Sequence, residues 1–127
     1  MNPVARTARE VVELYNLVVW NERNLDLAEE LFGDNVIRHE VGEAQTLTHA
    51  QAVQRVADMW QLFDRLRFDL NIVIADDDGE HVAIVYDSAM ATKDGTGTNI
   101  ASIEVFRVVD GKITEVWNCG HKQGVWN

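Results

Sequence analysis

Between Phe68 and Cys119 no stretch of this chain reads as a helix, and that absence limits its folds more than any other feature. Apolar residues alternate at Phe68, Leu70, Ile72 and Ile74, and Asp76-Asp77-Asp78-Gly79 then supplies a tight turn whose glycine tolerates positive φ. Val82 to Met90 reads as the next strand, Lys93-Asp94-Gly95 to Gly97 as a turn, and Thr98 to Val109 as a strand. Asp110-Gly111 makes another turn, and Ile113 to Cys119 the last strand. Strands joined this tightly run antiparallel, whereas a parallel doubly wound sheet needs helices between its strands.

The first half of the chain carries helical spacing instead. Val11, Val12, Tyr15, Val18 and Val19 form one apolar stripe of a helix from Ala8 to about Asn21, and a second short helix starts around Asn24 to Asp26 and stops at Gly33. Val36 to Gly42 alternates as a strand, and a polar loop follows. Thr48 and Gln51 then stand in capping-box spacing before a third helix, whose buried stripe is Val53, Val56, Trp60 and Phe63. Three helices followed by four strands give an α+β plan in which a curved antiparallel sheet is covered on one face. At 127 residues the chain is expected to be a single domain over 1–127.

Composition narrows the function. Eleven basic against twenty-one acidic residues leave a net charge of −10, which repels phosphate backbones and anionic lipid, so neither nucleic acid nor membrane is an expected partner. No run approaches the ~20 apolar residues of a membrane span, and Met1 to Arg6 lacks the apolar segment of a secretory signal; a cytoplasmic location is expected. The lone Cys119 has no partner for an internal disulfide and no zinc-ligand spacing around it. The three aspartates at Asp76 to Asp78 lack the later glycine and glutamate of an EF-hand and read as a solvated turn, so no metal is expected. No phosphate-cradling glycine loop is present, and no cofactor is expected.

Three polar groups stand where apolar ones belong. His39 alternates in step with Ile37 and Val41, opposite Arg38 and Glu40, and is therefore expected to point inward. On the strand from Thr98, Ile100, Ser102, Glu104, Phe106 and Val108 share one face, so Glu104 is expected inward, with its pKa raised by desolvation. Tyr15 interrupts the first helix's apolar stripe, where its hydroxyl needs a partner or water. One reading is that these groups merely satisfy each other. The other is that a base, an acid and a phenol from three separate elements surround a pocket for proton transfer.

The order of elements, together with Ile103-Glu104-Val105-Phe106-Arg107-Val108-Val109-Asp110-Gly111-Lys112-Ile113-Thr114-Glu115-Val116-Trp117-Asn118, resembles the SnoaL-like branch of the nuclear transport factor 2-like superfamily, the cystatin-like architecture. The resemblance covers nearly the whole chain. It implies a cone-shaped barrel of strongly curved, mostly antiparallel sheet with three N-terminal helices around a deep apolar pocket, often in a homodimer. Ketosteroid isomerase, of the same superfamily, is similar in placing a tyrosine, a base and an oxyanion-binding acid where this chain has Tyr15, His39 and Glu104. In that enzyme a carboxylic acid kept neutral by an apolar site donates a hydrogen bond to the developing enolate. Two departures stand out: the base position holds histidine rather than aspartate, and the Trp-Asp pair of SnoaL-like cyclases reads Trp117-Asn118. Asparagine cannot exchange a proton, so Asn118 is expected to orient substrate or water.

The resemblance thus implies isomerisation, cyclisation or dehydration of a hydrophobic carbonyl- or hydroxyl-bearing molecule, with catalytic Tyr15, His39 and Glu104. Trp60, Phe63, Tyr86, Ile100, Ser102, Phe106 and Asn118 would contact it. Trp126 is expected at the mouth of the cone or at a dimer edge, His81 on the surface, and His49 and His121 receive no role. A non-catalytic module that binds a small ligand or dimerises remains the second reading, since fold alone does not fix function.

Overall fold

Thr7 and Thr48 start the first and third helices by the same device. In the computed structural model, which describes residues 6–127, each threonine side chain accepts the backbone N–H three residues on, and Glu10 or Gln51 at that position accepts the threonine's own N–H. Helix α1 (Ala8–Leu14) continues directly into a π-helical segment, Tyr15–Trp20. Helix α2 (Leu25–Leu31) is capped by the Asn24 side chain, which accepts the N–H of Leu27, and α3 spans His49–Leu62.

The strands are β1 (Phe32–Glu40), β2 (Glu43–Thr48), β3 (Phe63–Ala75), β4 (His81–Thr92), β5 (Gly97–Val109), β6 (Lys112–Asn118) and the two-residue β7 (Lys122–Gln123). They form one sheet in the order β2-β1-β6-β5-β4-β3, with β7 added beside β5. Every pairing is antiparallel except that of β1 with β6. The sheet curves but does not close: β2 and β3 remain edges, so the expected barrel is an open one. Val11, Val12 and Val19 from the first helical run and Leu31 from α2 are fully buried against Val82, Ile84, Phe106 and Ile113 of the sheet. Among the described residues no helix is long and apolar enough to cross a membrane.

Four details depart from the sequence expectation. The polar loop after β1 is the strand β2, which buries only Leu47 and is held by the ladder from Asn35↔Thr48 to Glu40↔Glu43. Phe63 opens β3 instead of closing the third helix. A bulge between Leu70 and Ile72 turns the second half of β3 over, so that Phe68, Leu70 and Val73 pack on the core while Ile72 and Ile74 face out. Helix α2 ends at Leu31, and Gly33 lies inside β1.

Asn21, just past the π-helical segment, ties the helical layer to the exposed edge of β3. Its amide donates to the Phe68 carbonyl at 2.9 Å, and its carbonyl accepts the Phe68 N–H at 2.7 Å, so a side chain completes the ladder where no strand follows. Asn21→Ala removes both bonds and is expected to lower stability by about 2 kcal/mol, read from the midpoint of urea unfolding.

Candidate active site

A cavity of about 520 Å³ lies between the helices and the sheet face they cover. Trp20, Met59, Phe63, Leu66 and Phe68 give it an apolar wall, and Tyr15, Arg38, Arg55, Tyr86, Glu104 and Asn118 give it polar groups from six elements. Tyr15 is held by its ring, which packs edge-on to Trp20, Phe32 and Phe106 with centroids 6.1, 5.3 and 5.8 Å away.

Glu104 sits on β5 opposite Asn118 of β6, and the Asn118 amide donates to one of its carboxyl oxygens at 2.5 Å. Burial raises the Glu104 pKa; the Asn118 bond and the charges of Arg38 and Arg55 oppose that rise without cancelling it. Burial also raises the Tyr15 hydroxyl, against Arg55 and Arg38 and with help from Glu104. Tyr86 is raised by burial and by Glu104, offset in part by its neighbours Asn118 and Ser102. The inward, desolvated Glu104 expected from strand parity is therefore present, beside Tyr15.

His39 is not with them. Parallel pairing sets His39 opposite Trp117 and Ile37 opposite Glu115, so these residues share the convex face of the sheet, while Val36 is buried and Arg38 reaches the cavity. The imidazole stacks on Trp117 with centroids 5.0 Å apart and 8° between planes, and its Nε2 lies 2.5 Å from the Glu115 carboxylate. The expectation of an inward His39 rested partly on Val41, which lies past the strand's end and is 86% exposed.

Of the expected contact residues, Phe63, Tyr86, Ile100 and Asn118 line the cavity. Phe106 lies behind Tyr15, Trp60 packs edge-on to Trp20, and the Ser102 hydroxyl donates to the Gly120 carbonyl at 2.9 Å; none of these three lines it. Trp126 donates its indole N–H to the Tyr86 carbonyl at 2.9 Å and likewise stays off the lining. Sequence reasoning missed Arg38, Arg55, Glu40 and His121. Arg55 does carry a signal, since it stands three residues after Ala52 and four before Met59 on the same helix face. His121 carries none: it reaches the rim only because the chain turns back after Asn118 to pair β7 with β5.

Asp76, Asp78 and His81 bring their ligand atoms within 4.8 Å of one another on the β3–β4 turn, outside the cavity. The turn's own bonds account for the grouping. Asp78 accepts the N–H groups of Glu80 and His81 and lies 2.5 Å from the His81 ring nitrogen, which lowers its pKa to about 2.

The open α+β half-barrel thus holds a cavity that combines a partly buried carboxyl, two tyrosines and two arginines. The SnoaL-like domain model matches residues 11–116, and the chain belongs to that family. It is similar in fold to a SnoaL-like polyketide cyclase from Agrobacterium tumefaciens (17% identity, 92% of each chain covered, TM-score 0.76). An epoxide hydrolase of Mycobacterium tuberculosis, of the LEH-like type, is also similar (21% identity, 92% of this chain and 84% of that one, TM-score 0.71). A third is SalBIII, an epoxide hydrolase/cyclase-like enzyme of pyran ring formation in salinomycin (21% identity, 92% and 90%, TM-score 0.75). No curated protein matches the sequence. At these identities the structures establish the fold.

Because the folded state raises the Glu104 pKa, the stability tied to its protonated form is whole below the ordinary glutamate range near ~4.3 and is lost as pH rises through the raised value. Glu104→Gln cannot ionise. Its melting temperature relative to the natural protein is expected to climb as pH rises above the ordinary glutamate range near ~4.3, and a pH-independent difference would show that Glu104 titrates normally.

Proposed function

We propose that this protein is a cofactor-independent enzyme that moves protons on an apolar carbonyl- or hydroxyl-bearing small molecule, by isomerisation, cyclisation or dehydration. The observation that carries this reading is the partly buried Glu104 carboxyl that shares a largely apolar cavity with Tyr15. A carboxyl favoured in its protonated form is a hydrogen-bond donor, and the Asn118 amide occupies one of its oxygens, leaving the other to carry the proton. Tyr15 and Glu104 would together hold the oxyanion that forms as a neighbouring carbon loses its proton. In water neither would gain much, but against an apolar wall their dipoles act with little screening.

The base in this reading comes from the cavity rim, where His121 and Glu40 stand, because His39 lies on the opposite side of the sheet. Imidazole is the side-chain base best matched to neutral solution, which favours His121 for the role. The relatives named as cyclases and epoxide hydrolases fit acid–base chemistry on a non-phosphorylated small molecule. Epoxide opening is the less favoured variant, since it wants a water-activating carboxylate network beyond Glu104.

The reading includes a second copy of the chain. On the convex face Ile72 is opposite Val85 and Val85 opposite Ile103, and the two isoleucines are 49% and 46% exposed, which makes an apolar ladder suited to self-association.

The chemistry is tested by following hydrogen–deuterium exchange at the α-carbon of 1-tetralone and related apolar ketones by NMR. Acceleration over buffer is expected, and Tyr15→Phe and Glu104→Gln should each reduce it by about a hundredfold while His39→Ala leaves it in place. Ketones that bind without accelerated exchange would establish a binding module instead. Sedimentation velocity tests the assembly: a dimer that Ile103→Lys converts to monomer is expected, and a natural protein that sediments as a monomer removes the second copy.

A further inference from the structure

Arg38 on β1 and Arg55 on α3 both line the cavity, in a protein whose net charge is −10. Among the described residues neither guanidinium has a carboxylate within 4.0 Å, and neither donates a hydrogen bond to another residue. Five of the six other arginines are engaged: Arg6 with Glu30, Arg9 with Glu13, Arg67 with Asp69, Arg107 with Glu80, and Arg23 with the carbonyls of Phe63 and Asp64. Arg65 alone is an exception, and it is exposed to solvent. The two unengaged cavity arginines come from different elements, and both act electrostatically on the same pair of groups, Tyr15 and Glu104.

Glu104 does not account for them. Its short bond is to the Asn118 amide, and neither guanidinium lies within 4.0 Å of its carboxyl oxygens. Glu40 also lines the cavity but is exposed at the rim, where water screens it. Two partly buried guanidiniums without a paired anion are costly, and their planar forks match a carboxylate in two-point contact. The remaining wall, Trp20, Phe63 and Phe68, is suited to rings or hydrocarbon. A cavity of about 520 Å³ accommodates both parts in one molecule.

We infer that the molecule bound in this cavity is an apolar carboxylic acid, its carboxylate held by Arg38 and Arg55 and its hydrocarbon body resting on Trp20, Phe63 and Phe68. This rests on the reading of the cavity as the substrate site and adds the substrate's charge. The anionic end and the reacting end are then distinct: the arginines fix the carboxylate, and Tyr15 with Glu104 meets the carbon skeleton's oxygen.

Calorimetric titration with 2-naphthoate, its uncharged methyl ester and 2-naphthyl phosphate tests the assignment without requiring turnover. The acid is expected to bind at least about tenfold more tightly than the ester, a difference of about 1.4 kcal/mol, and more tightly than the phosphate. The paired substitutions Arg38→Gln and Arg55→Gln should abolish the acid's advantage while ester affinity persists. Absent acid binding, an ester that binds as tightly as the acid, a phosphate that binds more tightly, or a folded double variant that keeps the preference would each overturn the inference. The comparison of ligands on the natural protein stands even where the double variant does not fold. Failure here leaves the ketone-exchange result untouched, and failed exchange with a retained acid preference overturns the catalytic reading alone.

Discussion

Glu104 and Asn118 face each other directly across β5 and β6, and the chemistry available to the cavity depends on that cross-strand pair. Strand β5 is hydrogen-bonded on both sides, to β4 throughout and to β6 and β7 in turn, so it cannot pivot to carry the carboxyl toward solvent. An aspartate at position 118 would set two acids in contact, and one proton would be shared between them. An amide at that position instead fills one carboxyl oxygen with a neutral donor and leaves burial as the dominant influence on the acid. The charge state of the cavity is thus written into the register of two strands.

Much of this was legible from residue order. The capping box at Thr48, three tight turns and the even-numbered face of β5 follow from local rules, and each is found where those rules place it. The failures have different causes. Strand parity has a period of two, and the bulge in β3 reverses the side chains that follow it. In β1 the alternation from Val36 to His39 is regular, but the core side carries Val36 and Arg38 while Ile37 shares the outer face with His39. Hydrophobicity could not have signalled this, since an arginine stem covers apolar surface as well as an aliphatic residue does. Strand β2 escaped notice because an edge strand with one buried side chain is polar by necessity.

The displaced histidine has its own setting. Trp117 lies between the His39 ring and the His81 ring, at 5.0 and 6.0 Å, with Glu115 closing one end, so the convex face gathers titratable groups beside its apolar ladder. The two faces of one sheet therefore differ in character, with a carboxyl and two phenols in a hollow on one side and a broad, partly greasy surface on the other.

The π-helical turns from Tyr15 to Trp20 take up more residues per turn than an α-helix, which amounts to one surplus residue stored above the cavity. Beyond them Asn21 still clasps the backbone of Phe68, and before them the threonine box still sets the helix start. Chain length can thus vary within this roof while both of its anchorages hold.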